Sequence, residues 1–117
     1  PHVKAKLKQI RAQKGRQRMM QNVPNATVVV TNPTHYSVAL KYELHDMAAP
    51  VVVAKGADHI AMKIREVARE NGVPIVENKA VARALFATVE IDQEVPTEHF
   101  KAVAEVISYV MRLKGQL

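Results

Sequence analysis

The sequence contains no cysteine and no tryptophan, and only five of its 117 residues are aromatic. Without cysteine the chain forms neither disulfides nor thiolate metal sites, which fits a reducing compartment. Its apolar runs are only a few residues long, whereas a membrane-spanning helix needs ~20, and nothing in it resembles a signal peptide. A core therefore has to be built mainly from Val, Ala, Ile and Leu, and the length predicts one soluble domain. Because the chain begins at Pro1 and not at a Met, we expect it to be a fragment of something longer.

Acidic residues are missing from the first 42 positions, where eight of the 17 Lys and Arg residues lie; the first acid is Glu43. The remaining 75 residues carry the other nine bases and all 11 acids. The net charge of +6 therefore belongs to the N-terminal segment and not to the domain behind it. We interpret residues 1–22 as a basic amphipathic linker helix, with apolar residues at helical spacing at Val3, Leu7 and Ile10.

Such an arm attracts phosphates, whether of nucleic acid or of lipid headgroups. No aromatic residue is interleaved among its bases to stack on nucleobases, so a nucleic-acid partner is not expected. A solvated helical linker is the plain alternative.

Four segments have the residue pattern of β-strands, at residues 26–31, 36–42, 50–55 and 73–77. The first two are separated by residues 32–35, which have the composition of a β-turn and predict a hairpin. The last two flank a helical pattern and predict a β-α-β unit with parallel strands.

Three further segments predict helices. The first starts with Asp58 as the expected N-cap and ends at Asn71-Gly72, the second is capped by Asn78 and continues through Phe86, and the third starts at Pro96-Thr97. On the first, charged residues including Arg65 indicate a solvated face. On the third, the apolar stripe consists of Val103, Val106, Ile107, Val110 and Leu113. The predicted fold is α/β: a small mixed sheet of about four strands with helices on its faces, preceded by a long basic N-terminal helix or arm.

The dipeptide Asn32-Pro33 lies between two strand-like runs and carries the candidate chemistry. The usual asparagine side reaction starts from the amide nitrogen of the next residue, but the Pro33 nitrogen has no hydrogen. The remaining route is attack by the Asn32 side-chain nitrogen on its own carbonyl carbon, which closes a succinimide and releases Pro33 as a new N-terminus.

This reaction has three requirements. The side-chain nitrogen must lie at near-attack distance, ~3–3.5 Å, from the carbonyl carbon. A base must accept its proton, and His35 is the candidate because imidazole changes protonation near neutral pH. N–H groups must stabilise the oxyanion, for which the amides of Thr34 and His35 are candidates. The alternative is that Asn-Pro is simply a common turn dipeptide, so that the protein is a basic-armed module binding RNA or an acidic protein.

If the cut occurs, the pieces are residues 1–32 and 33–117. Burial of Val28, Val29 and Val30 is worth at most roughly 1.5–3 kcal/mol for each side chain. We therefore expect the halves to stay associated. No metal site is predicted, because no two of the five histidines are four residues apart, and no cofactor motif is present.

The tetrapeptide NPTH after "VVVT", followed by "YSVALKY", "APVVVAKGAD", "VPIVEN" and "ARALF", resembles the cytoplasmic domain of the FlhB/YscU family of type III secretion export-switch proteins. The resemblance runs from the basic arm to Leu117 and is greater to the flagellar branch than to the injectisome branch. The sequence departs from the expected pattern at Lys79-Ala80, where a PPL-like sequence is expected, and at Asp92, where glycine is expected.

The resemblance implies autocleavage between Asn32 and Pro33, with Asn32, Pro33, Thr34 and His35 as the site and residues 23–117 as the autocleaving domain. This is a single intramolecular event and not enzymatic turnover. The resemblance also implies a membrane-embedded full-length protein, with this part at the cytoplasmic face of the bacterial inner membrane. The implied role is to switch export from rod-and-hook-type to filament-type substrates. Implied partners are other export-apparatus proteins, exported substrates and a hook-length control protein.

Overall fold

A computed structural model describes residues 14–115 of the chain. Within them residues 14–22 form helix α1, and short 3-10 turns occur at Val23–Asn25 and Thr97–His99. The strands are β1 (Val28–Asn32), β2 (Tyr36–Lys41), β3 (Val51–Ala57) and β4 (Ile75–Glu77). The other helices are α2 (Asp58–Glu70), α3 (Lys79–Thr88) and α4 (Phe100–Leu113). No helix in the described part is both long and apolar enough to cross a bilayer.

The four strands form one mixed sheet in the order β3-β2-β1-β4. β2 pairs antiparallel with both β1 and β3, and β4 pairs parallel with β1. The predicted α/β fold with about four strands is confirmed. β3 and β4 run in the same direction, as predicted for a β-α-β unit, but they lie at opposite edges of the sheet. β1 is therefore an inner strand, with its hairpin partner β2 on one side and β4 on the other.

Helices cover both faces of the sheet, which explains the unbroken valine run of β1. Successive side chains of a strand point to opposite faces. Val28 and Val30 pack with residues of α3 and α4, while Val29 packs with residues of α1 and α2. All three valines are fully buried.

The start of α2 differs from the prediction. Ala57, not Asp58, occupies the N-cap position, and no side chain caps this helix. The cause is the length of β3, which stays paired with β2 up to Ala57 opposite Tyr36. The chain therefore passes from strand to helix without an intervening loop, and Asp58 adopts a left-handed conformation with φ of +50°. Its N–H donates to the carbonyl of His35 at 2.9 Å.

The other helix boundaries agree more closely with prediction. The side chain of Asn78 accepts a hydrogen bond from the Val81 N–H at 3.1 Å and caps α3, which continues to Thr88. The predicted stripe of α4 is buried at Val103, Val106, Ile107 and Val110. The prediction that Leu113 belongs to this buried stripe is wrong, since the residue is 66% exposed. It lies in the last turn of α4, beyond Met111, the last residue of this helix in the core cluster.

The predicted linker helix is described only in part, because residues 1–13, with the apolar residues Val3, Leu7 and Ile10, lie outside the described residues. In α1 the side chain of Met19 is buried and its sulfur accepts a hydrogen bond from the Lys55 N–H at 3.5 Å. The basic side chains of α1 are exposed. This part of the helix is thus amphipathic and packs against the β3 edge of the sheet.

Asp92 stands where the family resemblance predicts glycine. Its φ is +70°, in the left-handed region that glycine adopts at no steric cost and that Asp tolerates better than most residues. Its N–H donates to the carbonyl of Val52 at 2.6 Å, which helps attach this loop to β3. The conformation of the loop explains why a glycine is expected at this position.

Gly56→Ala is expected to destabilise the fold by about 1–3 kcal/mol, because there is no room for the added methyl group. A Cβ at Gly56 would lie 2.8 Å from the Cβ of Ile60 and 3.3 Å from the backbone nitrogen of Ala61. Thermal unfolding followed by circular dichroism measures the effect. Gly15→Ala is the control, since a Cβ there meets nothing within 4 Å in the described part of the chain. An equal melting temperature for the two variants would show that β3 and α2 are less tightly packed than described.

Candidate functional site in the β1–β2 turn

The turn between β1 and β2 consists of the four candidate residues. Asn32 still pairs with Tyr36 across the hairpin, so Pro33, Thr34 and His35 lie beyond the last pair of the ladder. The His35 N–H donates to the Asn32 carbonyl oxygen at 2.9 Å, which closes a β-turn with proline at its second position. The predicted hairpin is therefore confirmed.

The bond between Asn32 and Pro33 lies at the surface of the molecule. Pro33, Thr34 and His35 are exposed, and Asn32 is half-buried at the end of β1. The peptide bond is trans, as are all others in residues 14–115. A partner or solvent can therefore reach the bond without any opening of the fold.

The Asn32 carbonyl is polarised by the hydrogen bond from the His35 N–H. Attack on this carbonyl carbon would place negative charge on the same oxygen, and a fixed N–H donor at 2.9 Å stabilises that charge. The structure thus brings one of the two predicted amide donors, that of His35, to this oxygen. The amide of Thr34 forms no hydrogen bond with it in the described residues.

The side-chain amide of Asn32 is hydrogen-bonded through its oxygen and not through its nitrogen in the described residues. The hydroxyl of Thr34 donates to Asn32 Oδ1 at 3.3 Å. Within residues 14–115 the side-chain nitrogen of Asn32 takes part in no hydrogen bond, which leaves it available as a nucleophile. Thr34 therefore contacts Asn32 through its side-chain hydroxyl, whereas its backbone amide was the predicted donor.

The imidazole of His35 lies outside this arrangement. It is exposed, and its nearest aromatic neighbour is Tyr36, with ring centroids 5.9 Å apart and planes inclined by 53°. In the part of the chain that the structure describes, this ring forms no hydrogen bond to Asn32. The structure brings Asn32, Thr34 and the His35 backbone together, but it does not join the His35 ring to them.

Both ends of the turn are attached to the body of the domain. Before the Asn32-Pro33 bond, the carbonyl of Thr31 accepts a hydrogen bond from the Asn78 N–H at 3.0 Å. After it, the ring of Tyr36 stacks on Phe86 with centroids 4.5 Å apart, and the carbonyl of His35 is held by Asp58. The turn is therefore an exposed segment on a fixed base.

Sequence reasoning missed the residues beneath the turn. Thr31 and Ser37 are buried and directly opposite each other in the hairpin, and Arg65 donates hydrogen bonds to both hydroxyls. The prediction that Arg65 belongs to a solvated helix face is wrong, since this residue is half-buried against the hairpin. The available signal was the polar pair itself, because Thr31 and Ser37 fall on one face next to the turn once the hairpin register is assumed.

Residues 1–110 match the model of the FlhB HrpN YscU SpaS family. The chain belongs to this family, and the resemblance drawn from the sequence is confirmed.

The flagellar biosynthetic protein FlhB of Bacillus subtilis (strain 168) is 54% identical over 117 residues, which is 100% of this chain and 32% of that protein. The chain spans about a third of the length of the curated relatives it matches. The crystal structure of the cytoplasmic domain of FlhB from Shewanella putrefaciens is 48% identical, with a TM-score of 0.78, over 86% of this chain and 81% of that one.

The C-terminal domain of EscU, solved in mutated forms, is a second structural neighbour. The form in which an asparagine is replaced by alanine is 29% identical, with a TM-score of 0.75, over 79% of this chain and 92% of that one. Other forms carry a substitution of the proline directly after that asparagine, and of a histidine three positions after it. In this chain the same spacing joins Asn32, Pro33 and His35.

Proposed function

We propose that the chain is the cytoplasmic domain of an FlhB-type export protein that cleaves its own backbone between Asn32 and Pro33. The observation that carries the proposal is the exposed Asn-Pro turn whose reactive carbonyl already accepts a hydrogen bond from the His35 N–H. The substitutions in the solved EscU domains, at matching spacing, support the same site. In this proposal the full-length protein is embedded in the bacterial inner membrane and presents this domain at the cytoplasmic face.

The reaction forms one bond and breaks another. The side-chain nitrogen of Asn32 attacks its own carbonyl carbon, and a five-membered ring closes. The bond from that carbon to the Pro33 nitrogen then breaks. One proton leaves the attacking nitrogen and one arrives on the Pro33 nitrogen, which becomes a secondary amine. Residue 32 is left as a succinimide, which water later opens, and no external oxidant, reductant or cofactor enters the balance.

The residues of the turn have separate roles in this scheme. The His35 N–H stabilises the oxyanion of the tetrahedral intermediate. The hydroxyl of Thr34 holds Asn32 Oδ1 and so orients the attacking nitrogen. Pro33 closes the competing route because it has no N–H. The imidazole of His35, after a rotation of its exposed side chain, relays the proton from the nucleophile to the leaving nitrogen. Each molecule reacts once, so the chain is not a turning-over enzyme.

The cut halves stay together, in this proposal, because β1 is an inner strand. It is hydrogen-bonded to β2 on one side and to β4 on the other. The fragment 1–32 also contributes Met19 and Val23 to the core on the α2 side of the sheet. Loss of this fragment would expose two hydrophobic clusters at once and leave β4 without a neighbouring strand among the described residues.

Cleavage then acts by changing a surface and not by dissociation. A new charged amine appears at Pro33, and the freed ends of the turn gain mobility at an exposed position. We infer that export-apparatus proteins, exported substrates and a hook-length control protein read this change. The result is the switch of export from rod-and-hook-type to filament-type substrates.

Intact mass spectrometry in denaturant tests the proposed function directly. We expect two species, residues 1–32 and residues 33–117, after incubation of the purified chain at mildly alkaline pH. The summed mass of the two species equals the mass of the intact chain, or exceeds it by one water once the succinimide has opened. A single uncut chain after long incubation would contradict the proposal and favour the alternative in which the Asn-Pro turn is inert.

His35→Ala is expected to slow cleavage without stopping it. The His35 backbone N–H, which holds the Asn32 carbonyl, is retained in this variant, and only the proton relay is lost. General acid–base catalysis contributes typically about 10²- to 10⁴-fold, and the lower end is expected for a ring that is not fixed in place. The rate is measured as the fraction of intact chain against time on denaturing gels. His45→Ala, an exposed histidine in the β2–β3 connection, is the control and should cleave at the rate of the unmodified chain. An unchanged rate in His35→Ala would remove the imidazole from the mechanism.

A further inference from the structure

A polar cluster lies beneath the turn, between the hairpin and α2. The hydroxyl of Thr31 donates to the carbonyl of Tyr36 at 2.9 Å, and the hydroxyl of Ser37 donates to the carbonyl of Ala61 at 3.1 Å. The two hydroxyl oxygens lie 3.3 Å apart, within hydrogen-bond distance, and either can donate to the other. Nη1 of Arg65 lies 3.2 Å from the oxygen of Ser37 and 3.5 Å from that of Thr31.

Arg65 resolves a shortage of protons in this cluster. Each hydroxyl has one proton to donate, so two protons serve three contacts: the carbonyls of Tyr36 and Ala61, and the contact between the two hydroxyl oxygens. When both protons go to the carbonyls, the facing lone pairs of the two hydroxyls repel each other, and no water compensates because both residues are buried. The guanidinium of Arg65 supplies a charge-assisted donor to both oxygens. Within residues 14–115 no carboxylate forms a salt bridge with Arg65, so these hydroxyls are its described polar partners.

The cluster spans the cleavable bond. Thr31 immediately precedes Asn32, whereas Ser37 follows the turn, and the two are directly opposite each other in the hairpin. The hydrogen bond of Ser37 and the two hydrogen bonds of Arg65 tie this pair to α2. Arg65 therefore joins β1, which carries the attacking group, to β2, which follows the leaving group in the chain.

We infer that Arg65 is a positioning residue for the self-cleavage, acting through the hydroxyls of Thr31 and Ser37. The inference rests on the proposed function. Cyclisation requires the Asn32 side chain and its carbonyl to meet at near-attack distance, and the orientation of both follows from the end of β1. Without Arg65 the two buried hydroxyl oxygens move apart, and the neighbouring pair Asn32–Tyr36, the last of the hairpin ladder, is held less firmly. The near-attack geometry is then populated less often.

The experiment compares Arg65→Met with Arg69→Met. Met keeps the length of the side chain and removes its donors, and Arg69 is an exposed arginine one turn further along α2 that serves as the matched control. Chains are synthesised in a cell-free system, and the intact fraction is followed from the moment synthesis stops. We expect Arg65→Met to cleave about tenfold to a hundredfold more slowly than the unmodified chain, the range that follows from a misplacement of about 1 Å. Arg69→Met should cleave at the unmodified rate. Arg65→Lys, which restores a charged donor, should recover part of the loss.

Two further measurements separate positioning from simple loss of stability. Melting temperatures are compared in the uncleavable Asn32→Ala chain, and rates are then measured well below the melting temperature of every variant. In a chain carrying both Thr31→Val and Ser37→Ala, the hydroxyls are gone and Arg65→Met should slow cleavage by no more than about twofold. A merely structural arginine would instead cost the same factor in both backgrounds.

The outcomes distinguish this inference from the proposed function. If the unmodified chain cleaves and Arg65→Met cleaves within about twofold of it, a difference too small for a positioning role, Arg65 is no positioning residue and the proposed function stands. If Arg65→Met is slow by an equal factor with and without the two hydroxyls, the inference is also overturned. If the unmodified chain never cleaves, the proposed function and this inference fail together.

Discussion

Asn32→Ala is expected to leave the chain in one piece under all conditions in which the unmodified chain is cut. In the proposed mechanism the substitution removes the attacking side-chain nitrogen, and no other group of the turn takes its place. Asn32 is half-buried at the end of β1, and its side chain accepts a single described hydrogen bond, from Thr34. The cost to stability should therefore be small, about 1 kcal/mol or less. Denaturing gels and intact mass give the readout.

Asn25→Ala serves as the control for this substitution. Asn25 is an exposed asparagine just before β1 and is followed by alanine. Its replacement should leave cleavage unchanged. Two fragments from the Asn32→Ala chain would show that another group cuts the backbone, and the cyclisation mechanism would have to be abandoned.

The cleaved chain is expected to elute as one particle in native buffer and as two in denaturant. The fully buried side chains of Val28, Val29 and Val30 contribute at most roughly 1.5–3 kcal/mol each to holding β1 in the sheet. Hydrogen bonds to β2 and β4 add to this. Size-exclusion chromatography with mass detection measures the association.

Unfolding of the cleaved chain should also depend on protein concentration. Once the bond is cut, folding becomes an association of two molecules, and its apparent midpoint rises with concentration. The Asn32→Ala chain provides the comparison, because its midpoint should stay constant over the same range. Free fragment 1–32 in native buffer would contradict this part of the proposal and would mean that the switch works by dissociation.

Most of the secondary structure could be predicted from local patterns in the sequence. The alternation in β2, the Asn-Pro turn and the cap at Asn78 are each determined by neighbouring residues, and the structure has them where they were predicted. The order of strands is different in kind. That β4 pairs with β1, at the far edge from β3, depends on which hydrophobic faces meet in space, and no local pattern records it.

The errors have the same origin. Asp58 has a side chain typical of an N-cap. However, β3 stays paired with β2 up to Ala57, so that Ala57 becomes the N-cap residue and Asp58 the first residue of α2. The sequence pattern of α2 places Arg65 among solvent-facing charges, and only the hairpin brings two buried hydroxyl oxygens within reach of its guanidinium. At the candidate site, residue types and spacing predicted the members of the turn. They could not predict that the hydroxyl of Thr34, and not its amide, would contact Asn32.

The place of β1 in the sheet has a consequence for the lifetime of the cut state. After cleavage no covalent bond connects β1 to the rest of the sheet. If β1 leaves the sheet, it can return only by an encounter between two separate molecules at their cellular concentration. In the proposed mechanism, the cut protein therefore keeps its structure most securely while it stays folded. After unfolding, the proposed cut particle re-forms only at concentrations that allow its two fragments to associate, whereas synthesis as one chain places no such condition on its first assembly.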